Sequence, residues 1–392
     1  MSQYIQDCIR NNLRCVIRDL TVPQQKTVSE VVRGLFTAGK PILSHLAQNE
    51  TKTAKKQSEK YSYHLGRIDL MKKINDFAFR KAKQMIRKTT IIAYDLTDIN
   101  KECAKKMEKL STVWDGSRRR PATGYTLHGI GVNNILVELR VHDAQKKTLN
   151  QLRYEMVKEI SGKLGGKGIW VLDRGNDDKN FFNDLRHFLK VDFIARLKER
   201  RQVIMTKTGE IMKVKDALPG KYEVYLLDRW NEKADTGAVY TLIISNHLED
   251  KEPIRLLSTL EMYRYTEEEF VNMYLERWGI ENIFKRVKTK FNLEKIRVLR
   301  HERLINLIAL IQFSVIVSTL VFNKLKQTTS ALTAGTLMRY KCFIKHKSLT
   351  QNLDSFITFM KDSLIPLIIR KKPPPEQLTL FSRRQVVKLG II

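Results

Sequence analysis

The chain has 392 residues, 42% of them hydrophobic, enough to bury a full core and by length to hold two or three domains, which excludes a disordered tail. Its 71 Lys and Arg against 42 Asp and Glu leave a net charge of +29, which points to a polyanionic partner, nucleic acid before an anionic membrane surface, since each neutralised phosphate releases a condensed counterion. Cys8, Cys15, Cys103 and Cys342 show no zinc-ligand spacing, and the opening MSQYIQDCIRNNLRC lacks the apolar run of a secretory signal, so a reduced, cytoplasmic setting is expected.

From residue 1 to about 88 the pattern is helical and basic, with Val28, Val31, Val32, Leu35 and Phe36 at helical spacings. It predicts a separate small helical domain that binds DNA. Its polar stretch 51–60 (TKTAKKQSEK) reads either as a solvated loop or as a DNA-facing element. At Thr89 the texture changes, because TTIIAYDLTDI is a short β-branched run ending in a carboxylate, the pattern of a buried strand. Two more strand-like runs, YTLHGIGV and ILVELRV, follow a glycine-punctuated basic loop at 116–124. Then come helical TLNQLRYEMVKEISGKLG, a strand GIWVLD again ending in aspartate, helical NFFNDLRHFLK and a fifth strand DFIARL. This order predicts an α/β fold, a ribonuclease-H-like mixed sheet flanked by helices.

The core is expected in two parts, 89–201 and 261–326, separated by a β-rich insertion at 202–260 and followed by a basic C-terminal region at 327–392. Residues 304–322 run uncharged for about the length that spans a bilayer. Asn306, Gln312, Ser314, Ser318 and Thr319 interrupt that run, and helices apolar all round also occur in soluble cores, so a buried helix and no membrane are expected.

Asp95 and Asp173 both close strand-like runs. If the strands are neighbours, their carboxylates converge at one sheet edge, as phosphoryl transfer by two cations about 3.5–4 Å apart requires. Asp98 competes with Asp95, which is preferred because it directly follows the apolar run. Asp177 and Asp178 read as the start of the next helix, where acids complement the dipole. Farther on, Tyr274, Arg277, Glu281 and Lys288 recur at spacings of three, four and seven, which places them on one face of a single helix. An acid between two cations suits metal binding flanked by phosphate grips, although a surface salt-bridge ladder has the same spacing.

These residues match a Y-x2-R-x3-E-x6-K signature, and on it the chain resembles a large family of bacterial and archaeal insertion-sequence transposases of the DDE type. The runs YDLTD at Asp95 and VLDRG at Asp173, and the β insertion before the glutamate, agree with it over roughly residues 89–322. The resemblance implies cleavage at transposon ends and strand transfer into target DNA, with Asp95, Asp173 and Glu281 holding two Mg2+ (or Mn2+) ions. It implies DNA contacts from Tyr274, Arg277, Lys285, Lys288, Arg174 and Arg196, and a homodimer bridging two inverted-repeat ends in the nucleoid. Trp230 is the tryptophan of the insertion, where some relatives stack a flipped base; a partly buried strand-end role fits it as well. A ribonuclease-H-like nuclease without strand transfer, and a retired transposase kept as a DNA-binding protein, are the alternatives.

Overall fold

Among the described residues five helices precede any strand: α1 (Ser2–Ile17), α2 (Val22–Thr37), α3 (Leu43–Leu46), α4 (Ala54–Leu65) and α5 (Leu70–Lys83). The structure is a computed structural model that describes residues 2–48, 53–116, 118–228, 233–246, 252–327 and 353–369. A capping box starts α2, where the Thr21 amide donates to Gln24 Oε1 at 3.1 Å, and Val28, Val31, Val32, Leu35 and Phe36 form its buried stripe. Most of the polar stretch expected as loop or DNA-facing element belongs to α4. There Gln57 and Lys60 turn inward and donate to Glu30 of α2 at 2.6 and 2.7 Å.

The strands and helices that follow are β1 (Ile91–Asn100), β2 (Ser111–Asp115), β3 (Arg120–Val132), β4 (Ile135–Val141), α6 (Leu149–Leu164), β5 (Ile169–Leu172), α7 (Lys179–Asn183) and β6 (Asp192–Arg196). β2 was not expected. It is short and half-exposed, carries little apolar signal, and forms a hairpin with the start of β3. The basic loop at 116–124 is accordingly shorter than expected, because β3 already begins at Arg120.

The β-rich region holds β7 (Gln202–Met205), β8 (Ile211–Lys213), β9 (Gly220–Asp228), β10 (Lys233–Ser245) and β11 (Ile254–Ser258). It is not a separate sheet: β11 pairs antiparallel with β6, and the others continue outward. Among the described residues one mixed sheet of eleven strands results, ordered β2-β3-β1-β5-β6-β11-β10-β9-β7-β8, with β4 beside β3. Only β1, β5 and β6 run parallel to one another.

Alternation along β5 divides the two faces. Ile169 and Val171 join Ile91, Phe270, Val271 and Tyr274 under α8 (Glu267–Leu275), while Trp170 and Leu172 enter the larger core. α9 (Trp278–Lys290) lies over β3, admitted by two glycines. A Cβ at Gly129 would meet Phe284 Cζ at 2.5 Å, and one at Gly131 would meet Ile280 at 3.2 Å.

The uncharged run forms α10 (His301–Gln327), a helix long and apolar enough to cross a membrane whose apolar window is 89% buried within the protein. Its polar residues are absorbed internally. Asn306 accepts from the Leu70 amide and donates to the Leu65 and Ile68 carbonyls, each at 2.8 Å. Gln312 donates to Asn75 at 2.9 Å, and Ser314, Ser318 and Thr319 donate to carbonyls one turn back. The N-terminal helices expected as a separate domain share one continuous core with α10 and the sheet. Asn75 of α5 also exchanges hydrogen bonds with the Leu139 backbone of β4. The helical, basic pattern of 1–88 suggested independence, but its apolar stripes pack on α10, β4, the helix Leu353–Ile369 and Phe291.

Candidate active site

Tyr94 of β1 stands opposite Leu172 of β5, and Leu172 opposite Ala195 of β6. One step further come Asp95, Asp173 and Arg196, side by side; Asp173 and Arg196 stand at the ends of β5 and β6, whereas Asp95, expected to close its strand, lies inside β1, which runs on to Asn100 by pairing with β3. β5 stops at Leu172 while β1 continues to Asn100, so beyond Leu172 the β1 backbone has no strand partner on the β5 side. Asp95 pairs across the antiparallel ladder with Gly129, the residue over which α9 packs. The bare glycine thus brings α9, with Glu281 in its first turn, onto the face that carries Asp95.

Arg277 joins the two acids. Its Nη1 donates to Asp95 Oδ2 at 3.0 Å and its Nη2 lies 2.5 Å from Glu281 Oε1, with the guanidinium only 9% exposed. Burial and then the charge of Asp173 push the Asp95 carboxyl up to about 7, against the pull of Arg277. The other Asp95 oxygen accepts from the Leu96 amide at 2.8 Å.

Among the described residues no three His, Cys, Asp or Glu side chains are gathered closely enough to hold a metal ion as they stand. The charge of Arg277 compensates Asp95 and Glu281. The residues nonetheless fit a hard divalent cation in chemistry. The donors are all carboxylate oxygens, Asp95 is raised by an acid neighbour whose charge a dication would offset, and Gly175 keeps space beside Asp173. A Cβ at Gly175 would stand 3.2 and 3.3 Å from the two Asp173 oxygens.

The helix expected to carry the whole signature is two helices. α8 ends at Leu275, Arg277 sits at the junction as the residue before α9, and the chain turns there. Tyr274 therefore does not share the open face with Glu281. It is 3% exposed in the core under α8, and the Arg277 guanidinium lies 5.6 Å from its ring centroid. Lys285 is exposed one turn beyond Glu281; Lys288 is part-exposed, 3.8 Å from Glu294. Arg174 is exposed, 3.8 Å from Glu199. Trp230 lies outside the described residues.

Of the competing acids, Asp98 accepts from Thr126 Oγ1 at 2.7 Å three residues past Asp95. Asp178 caps α7 as expected of a helix start, accepting from the Asn180 and Phe181 amides. Asp177 is buried instead, paired with Arg201 at 2.5 Å. Gly129, Gly175, Asn176 and Arg153 belong to the site's surroundings and were not anticipated. For Arg153 a signal existed: it is a charge on the apolar stripe of α6, one turn before Met156 and Val157.

A mixed sheet flanked by helices, with Asp95 and Asp173 side by side on adjacent parallel strands, defines an α/β protein. The chain belongs to the transposase DDE domain family, whose model matches residues 87–317, more than half of its length. A solved structure, the cryo-EM structure of a piggyBac transposase synaptic complex with hairpin DNA, is similar at 11% identity and a TM-score of 0.48, covering 92% of this chain and 76% of that one. No curated protein matches the chain.

Proposed function

We propose that this transposase-family protein cleaves DNA at transposon ends and joins the released 3′ ends to target DNA, with Asp95, Asp173 and Glu281 holding two Mg2+ or Mn2+ ions. The observation that supports this reading is the link of Asp95 to both other acids: the charges of Asp173 and Glu281 act on its carboxyl, and Arg277 bridges it to Glu281. Bound cations would activate water and stabilise charge on the attacked phosphate.

The chain's own residues have separable tasks. Asp95, held within β1, and Asp173, just past the end of β5, set the centre, and Glu281 would join them from α9 when Arg277 gives up its carboxylates to a DNA phosphate. Lys285 and Lys288 follow on the same helix side and grip the backbone, with Arg174 and Arg196 beside the second acid. The net charge of +29 suits two duplexes held at once, the donor end and the target. A homodimer that bridges two ends follows from the same reading.

The test is incubation with duplexes carrying the inverted repeats of its own element, with Mg2+ or Mn2+, scoring cleaved and joined products together. Asp95→Asn, Asp173→Asn and Glu281→Gln are each expected to lose activity by several orders of magnitude, with folding and DNA binding nearly unchanged. An active Asp95→Asn protein alongside a dead Asp98→Asn protein would move the first ligand to Asp98. Cleavage without any joined product would reduce the activity to that of a nuclease.

A further inference from the structure

The segment after the second acid holds a relay of buried polar groups that ends on Asp173. Arg153 of α6 is 5% exposed and Asn176 is 4% exposed. Arg153 Nη1 donates to Asn176 Oδ1 at 3.2 Å and its Nη2 to Asp178 Oδ2 at 2.9 Å, while the guanidinium carbon lies 4.0 Å from the Phe181 ring centroid. Asn176 Nδ2 in turn donates to Asp173 Oδ1, and its backbone amide donates to the Asp173 carbonyl at 3.0 Å.

The amide of Asn176 has one workable orientation. Turned over, its oxygen would face a carboxylate and its NH2 a guanidinium, so acceptor would meet acceptor and donor meet donor. Arg153 therefore fixes which way Asn176 points, and Asn176 fixes which Asp173 oxygen is engaged. Oδ1 is held and Oδ2 is left without a hydrogen bond among the described residues, beside the space that Gly175 keeps open.

We infer that Asn176, held by Arg153, is a positioning residue that presents a single Asp173 oxygen to the active-site cation. This rests on the metal reading proposed above. Partners of this kind set ligand orientation, and their loss commonly weakens metal binding by about 10- to 100-fold.

The test is Mn2+ binding by the full-length protein with an end duplex present, followed through the electron paramagnetic resonance signal of free Mn2+, with thermal melting run in parallel. Asn176→Ala, and the similarly shaped Asn176→Leu, should each raise the Mn2+ dissociation constant by about 10- to 100-fold. Arg153→Met should weaken binding comparably, Arg153→Lys should restore part of it, and Asn176→Ala combined with Arg153→Met should do no more than the stronger single change, because the two act in series. A role in folding alone would move the melting curve and leave Mn2+ binding by the folded protein as it is. If Mn2+ binding is lost in Asp173→Asn but unchanged in Asn176→Ala and Asn176→Leu, the positioning role is overturned while the metal site stands. A wild-type protein that holds no Mn2+ overturns both.

Discussion

Arg277 touches two of the three acids on which the proposed chemistry depends, so its state and theirs are linked. With Arg277 in place, Asp95 and Glu281 are charge-compensated from within; on the proposed reading a DNA phosphate would compete for the same guanidinium. Lys285 and Lys288 are freer, being exposed or part-exposed on α9. Lys288→Ala is expected to weaken DNA binding and to flatten the log–log dependence of affinity on salt by about 0.9 for one lost phosphate contact. An unchanged slope would remove Lys288 from the DNA-contacting set. A second residue-scale expectation concerns His128, fully buried, with Nδ1 2.7 Å from the Tyr94 hydroxyl and Nε2 without a partner. Burial, and then His142, Arg153 and Arg140, push its imidazole down to about 3. A depressed histidine is neutral when folded, so its contribution is intact above the unfolded value of about 6.5 and is lost as pH falls from there toward 3. Urea unfolding at pH 7, 6 and 5 should show stability falling by at most about 1.4 kcal/mol per pH unit from this group. His128→Gln should make that decline shallower, and identical declines in both proteins would assign it to other groups. The adjacency of Asp95 and Asp173 was legible in the sequence because an aspartate following an apolar run can be read locally, although β1 continues beyond Asp95. Asn176 and Gly129 were not, since their roles exist only through what the fold sets opposite them.

At the scale of elements, the position of α9 decides whether the third acid meets the first two. Spacing alone placed Tyr274, Arg277, Glu281 and Lys288 on one helix, yet the chain turns between α8 and α9 and buries Tyr274. Nothing in the period of the sequence marks that turn, because apolar residues continue on both sides of it. Gly129 and Gly131 are the counterpart on the sheet, where missing side chains let α9 approach. Gly129→Val should displace Phe284 and lift α9 away from Asp95. Cleavage is therefore expected to fall at least ten-fold in a protein that still unfolds cooperatively, as about 1.4 kcal/mol of misplacement in the transition state suffices. Wild-type cleavage in Gly129→Val would show that the approach of α9 is not critical.

For the whole molecule, one core joins the N-terminal helices, the sheet and α10. The sequence made the catalytic layers recognisable through their strand order, and it made the burial of α10 readable from the polar residues within it. It did not reveal that α1, α2 and α5 are the cover of α10, because an apolar stripe does not name its partner. Removing residues 1–88 would strip the Leu70 and Asn75 partners from Asn306 and Gln312 and expose the apolar side of α10. The truncated chain should aggregate or lose its cooperative melt. A soluble fragment 89–392 with a sharp thermal transition would restore the independence of the two parts.

The hydrogen bond between the Leu70 amide and Asn306 closes a loop of 236 residues. On a ribosome adding about 5–20 residues per second, the N-terminal helices wait roughly ten to fifty seconds for the helix that completes them. Throughout that interval they present an unpaired oily stripe, a natural landing place for chaperones, and β1 and β5 emerge beside an unfinished support. Glu281 also emerges late, near the end of the same wait. On the proposed reading, a nascent chain would therefore stay inactive until about three quarters of it has been made, and the onset of activity would be set by the order in which its core closes.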